Sequence, residues 1–227
     1  MRKIIVLTLF FVFIFTIQSC GQNPELGENK IDLKTFSVKF NVNGFYKNQI
    51  ETHKKSLELY SQGKTKDAFS KELLKNYKFV ENIDTLSIDK DKYMLMYIMR
   101  GMDTKDTLAT FGNIRFQKLD MISNEKNEFQ SLRATSWTYN DKKNNFNTLK
   151  DELQNIHGKP NVIKETFEHG EYYQWTTKDF VVSLTVDKNE ERNENMSYSA
   201  QLYLTAKSEY ENLTDKLIGK TKYYWIY

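Results

Sequence analysis

The chain predicts an α+β fold, in which a mostly antiparallel sheet carries a few packed helices. Two observations lead there. Segments with period-two alternation or short apolar runs come in groups broken by single helices, an order that favours sheets built from neighbouring hairpins. The composition supplies a core for such a sheet: 15 Phe, 14 Tyr and 3 Trp among 227 residues, against only 9 Gly and 2 Pro. Aromatic side chains suit a pleated, half-buried surface.

The elements follow in order. Phe36, Val38, Phe40 and Val42 alternate with Ser37, Lys39 and Asn41, the period of a strand with one buried face, and Asn43-Gly44 reads as the turn after it. Residues 48–61 fit an amphipathic helix with Ile50, Leu57 and Tyr60 on its apolar side, ended by Gly63. A second helix is expected from Lys66, with Phe69, Leu73 and Tyr77 at spacings of four. Tyr93 to Met99 is a nearly continuous apolar run of strand length. Residues 113–122 alternate, and 132–139 hold a further strand with Trp137. Phe146, Leu149, Leu153 and Ile156 then mark a helical stripe, with Gly158 at the left-handed cap position and Pro160 blocking continuation. Strands are expected at 162–168, 172–177, 180–186 and 196–206, with a turn at His169-Gly170, a polar loop at 187–195 and a short helix at 208–217. No internal repeat is visible. A subdomain boundary, if there is one, falls near 140–145.

The N-terminus carries a different message. Arg2 and Lys3 precede an apolar run from Ile4 to Ile17, which at helical rise spans about 21 Å, short of the roughly 30 Å of a bilayer core. Charge, apolar core and small residues in that order make a secretory signal. Ile17, Ser19 and Cys20 then resemble the lipobox of bacterial lipoproteins. The resemblance implies cleavage after residue 19, a diacylglycerol on the Cys20 thiol and acylation of the new amine. Several acyl chains on one residue give lasting attachment, where a single chain holds only marginally. The domain plan is therefore a signal peptide at 1–19, a lipidated N-terminus and flexible tether at 20–30, an α+β domain at 31–206, and a C-terminal helix and aromatic tail at 207–227. Gly21 stands where an inner-membrane lipoprotein commonly has aspartate, so the expected location is the outer membrane.

Leu149 to Trp175 runs helix, Gly158-Lys159-Pro160, strand, then an aromatic strand ending on Trp175. This stretch is similar to the helix–Gly-x-Pro–strand–Trp segment of BamE/SmpA-like outer-membrane lipoproteins. That likeness implies a small α+β domain acting as an accessory scaffold in β-barrel assembly.

Charge and chemistry bound the function further. The 33 basic and 30 acidic residues give +3, and removal of Arg2 and Lys3 with the signal brings the formal charge to +1. Nucleic-acid binding, which needs a clustered basic face, is not expected. The only cysteine is Cys20, so a lipidated chain has neither disulfide nor free thiol. His53, His157 and His169 lack metal-ligand spacing, although His157 and His169 could meet Glu168 and Glu171 at a sheet edge; no metal or cofactor is expected. Asp103, Asp106 and Asp120 flank strands and read as solvated loop positions. Trp137, Tyr172, Tyr173 and Trp175 could line a sugar or peptide groove by stacking, or else form core. Residues 222–227 end the chain on aromatic and aliphatic side chains, expected to dock as a final strand.

The functional expectation is a lipid-anchored envelope protein, not an enzyme, with a binding or scaffold role toward an envelope protein partner. The alternatives are a glycan- or peptidoglycan-binding module, an immunity lipoprotein and, last, a hydrolase.

Overall fold

The computed structural model describes residues 26, 30–68, 70, 80–89, 92–100, 106–139, 144–164, 171–190, 196–211 and 213. Residues 1–25 with Cys20, residues 222–227, His169, Glu168, Asp103 and most of the helix expected after Lys66 lie outside them.

The fold is α+β. A short strand β1 (Ile31–Asp32) is followed by helices α1 (Val42–Phe45), α2 (Lys47–Ser61) and α3 (Thr65–Ala68). Strands β2 (Val80–Asp89), β3 (Lys92–Arg100), β4 (Ala109–Phe111), β5 (Ile114–Phe116), β6 (Lys118–Asn124) and β7 (Phe129–Tyr139) come next. Helix α4 (Asn144–His157) leads into β8 (Asn161–Lys164), β9 (Glu171–Thr176), β10 (Phe180–Glu190) and β11 (Met196–Ala206).

Eight strands form one sheet in the order β2-β3-β6-β7-β11-β10-β9-β8, with every neighbouring pair antiparallel. A helical segment followed by four strands paired in chain order thus occurs twice, the first set interrupted by β4 and β5 between β3 and β6, and the two sets join where β7 pairs with β11. A second, three-stranded sheet pairs β1 parallel to β4 and β4 antiparallel to β5.

One face of the large sheet is apolar. Leu119 and Met121 of β6, Leu132 and Ala134 of β7, Ala200, Leu202 and Leu204 of β11, and Val182 and Leu184 of β10 are all buried in one cluster. Their register partners match across the sheet: Leu119↔Ala134, Ala134↔Leu202, Leu202↔Leu184. Helix α4 covers this face with Phe146, Leu149 and Leu153. Gly158 ends it at φ +82°, a conformation that favours glycine.

Four expectations need correction. Residues 36–41 are turns rather than a strand: Phe40 N donates to Ser37 O at 3.0 Å, and Lys39 N to Ser37 Oγ at 3.2 Å. Asn41 then caps α1 by accepting from Gly44 N at 2.8 Å, so Asn43-Gly44 lies inside a helical turn. Helix α2 has the expected span but presents another side inward: Gln49, Thr52 and Ser56 are buried, while Leu57 and Tyr60 are more than half exposed. Ile156 of α4 is likewise exposed. The strand expected at 113–122 is two strands, β5 and β6, parted at Gln117, which turns its backbone N–H to Thr135 O at 3.1 Å.

Candidate functional site

The four aromatics expected to line a groove are divided between the two faces of the sheet. Trp175 is 3 % exposed in the core, and its Nε1–H donates to Gly158 O at 2.8 Å, tying β9 to the end of α4. Tyr173 shares that face, 5.8 Å from the Phe146 ring and with Lys150 Nζ 4.3 Å above its own ring centroid. Tyr172 and Trp137 point to the other face, but from β9 and β7. Two strands lie between those, which separates them by about 14 Å at ordinary strand spacing. A groove built from all four does not form, because alternation along β9 sends neighbouring Tyr172 and Tyr173 to opposite sides.

The second face of the sheet is polar. A single register row crosses it through Asp120, Arg133, Tyr203, Ser183 and Gln174. Asp120 lies inside β6 with its side chain fully buried, not on a solvated loop. Its Oδ2 accepts from Arg133 Nε at 2.5 Å and also pairs with Arg133 Nη2, while Lys118 Nζ lies 3.8 Å from its Oδ1. Gln174 Nε2 donates to Tyr210 Oη at 2.8 Å and to Ser183 Oγ at 3.4 Å. Ser131 and Thr205 share a hydrogen bond at 2.9 Å. Most of these groups find partners within the row, as buried polar groups tend to.

His157 sits in the last turn of α4, and desolvation lowers its pKa below the usual histidine value. Among the described residues no group of three or more His, Cys, Asp or Glu side chains converges on a metal position.

A concave feature of mixed chemistry lies at one end of the large sheet. It is a cleft of about 610 Å³, bounded by the β6–β7 turn, the β9–β10 turn, the end of β11 and the segment Val38–Asn41. Each wall contributes one exposed lysine: Lys39, Lys126, Lys178 and Lys207. Glu128, Asp179 and Glu209 share the rim. Phe40 and Phe129 form the apolar floor. They belong to an aromatic cluster in which Phe36 lies 4.9 Å from both rings and Phe180 lies 6.2 Å from Phe129.

Local hydrogen bonds hold these walls. Asn124 Oδ1 accepts from Lys126 N at 3.0 Å and Glu128 N at 2.9 Å, and Asn127 takes the left-handed conformation at φ +64°. Thr177 N donates to Phe180 O at 2.8 Å, and Phe180 N donates to Thr177 Oγ1 at 2.9 Å. Lys207 N donates to Asp179 O at 2.9 Å, joining two of the walls.

None of this cleft was named from the sequence. Its lysines come from four segments far apart in the chain, so no local spacing marks them. The usable signal is topological: in an antiparallel meander, alternate turns return to the same end.

Comparison with protein-family models, with curated proteins and with solved structures finds no match to this chain.

Proposed function

We propose that the chain is a lipid-anchored cell-envelope protein with a non-enzymatic binding role, exported by its N-terminal signal and held at the outer membrane through acylated Cys20. Two lines support this reading. The order of charge, apolar run and Ile17-Gln18-Ser19-Cys20 supplies the export and attachment signal. The single structural observation that favours binding is the cleft at the sheet end, where rigid turns present lysines around a phenylalanine floor. Such a surface offers charge and apolar contact together, the usual makings of a ligand or partner site. The buried Asp120–Arg133 pair serves the sheet, since both charges are turned toward each other. No helix among the described residues is long and apolar enough to cross a membrane.

Growth of the native host with tritiated palmitate tests the reading. Label should appear in the wild-type protein and vanish in Cys20→Ala; equal labelling of both, or of neither, would refute lipidation at this residue.

A further inference from the structure

We infer that the lysine-lined cleft seats phosphate-bearing lipid headgroups of the membrane that anchors the chain; this rests on lipidation of Cys20. Leu26 is buried, and its N–H donates to Phe45 O at 3.2 Å, so the chain is fastened to the domain well before residue 31. Only five residues lie between Cys20 and Leu26, and the six steps along the chain reach at most about 21 Å when fully extended.

The point of fastening adjoins the cleft. The Phe45 ring lies 5.5 Å from that of Phe40, which forms part of the cleft floor. A short tether leaving from this place keeps the cleft end of the sheet near the bilayer, where a surface charge acts over about 8 Å.

The chemistry of the cleft suits that surface. Lys39, Lys126, Lys178 and Lys207 are exposed, and none of them forms an ion pair within 4 Å among the described residues. Three carboxylates share the rim, leaving one net positive charge. The four-carbon lysine stems carry their ammoniums past the shorter acidic side chains. Partly exposed Phe40 lies beneath them for the apolar part of a headgroup region, backed by buried Phe129.

The test uses the lipidated wild-type protein reconstituted in vesicles, with lysine acetylation by a water-soluble reagent read by mass spectrometry. Vesicles of phosphatidylcholine alone are compared with vesicles containing about 30 mol % phosphatidylglycerol, where each lysine near the surface should be protected about fivefold. Protection should fall on the four cleft lysines and spare Lys55 and Lys66, which are exposed on α2 and α3. Flotation of the vesicles reports the anchor independently. A protein that floats with its cleft lysines labelled equally in both vesicles overturns the inference and leaves the anchor standing. A wild-type protein that fails to float overturns both. A third arm adds millimolar inorganic phosphate without vesicles. Equal protection there would make the cleft a site for soluble anions and overturn membrane seating.

Discussion

Asp120 and Arg133 place opposite charges side by side on the polar face of a sheet, with the carboxylate wholly removed from solvent. Burying a charge is costly unless a partner compensates it, so the loss of either member should hurt more than the pair is worth. Asp120→Ala should lower unfolding stability by about 3 kcal/mol, read from urea denaturation. Asp120→Leu combined with Arg133→Met should recover most of that loss, since no uncompensated charge remains; a double variant as unstable as the single would contradict this account. His157 makes a smaller prediction. Its lowered pKa means that the unfolded chain takes up the proton first as pH falls. The associated stability is complete above the ordinary histidine value of about 6.5 and is lost as pH drops from there through the lowered folded value. An NMR titration of His157 should have its midpoint below about 6.5; a midpoint above it would show that the helix dipole outweighs desolvation.

Helices α2 and α4 show how far periodicity carries. Both spans are legible from the chain, and so is the stop at Gly158, because capping chemistry is local. For α4 the inward side is legible as well: Phe146, Leu149 and Leu153 pack on the sheet. For α2 it is not. Ser56 Oγ donates to Ala68 O at 2.9 Å and Thr52 Oγ1 to Asn48 O at 2.7 Å, so polar residues sit inside and Leu57 and Tyr60 outside. A tertiary choice of this kind leaves no mark in apolar spacing. Replacing Leu57 with Ser should therefore shift stability by less than about 0.5 kcal/mol, as for ordinary surface sites. Leu149→Ala, which empties a fully buried position, should cost about 3 kcal/mol in the same denaturation series. The misread strand at 36–41 has a comparable cause. Phe36, Val38 and Phe40 do turn inward in alternation, yet Ser37 and Asn41 bond their own neighbouring backbone and bend the chain into turns. Strand β11 was legible to its ends, with Ala200, Leu202 and Leu204 on one face, because its alternation is uninterrupted.

At the scale of the whole molecule, the fold class was readable and the arrangement was not. Runs of alternating segments announce an antiparallel sheet, but nothing local announces that β7 pairs with β11 or that a helix-and-four-strand unit occurs twice. Those pairings join residues 58 to 74 positions apart, and the two units share architecture without sharing residues. The cleft follows from the same long-range geometry, which is why its four lysines escaped a reading by motif. The aromatic groove failed for a simpler reason, since adjacent strand residues face opposite ways. The N-terminal export signal proposed above is read from the chain alone, and the account of the protein as an anchored binding module depends on it. The most direct test is the intact mass of the protein purified from its native host, wild type beside Cys20→Ala. The account predicts a wild-type chain beginning at Cys20 and heavier by two or three acyl chains, which partitions into detergent while the variant does not. A wild-type protein that stays in the aqueous phase with an unmodified Cys20 would contradict it.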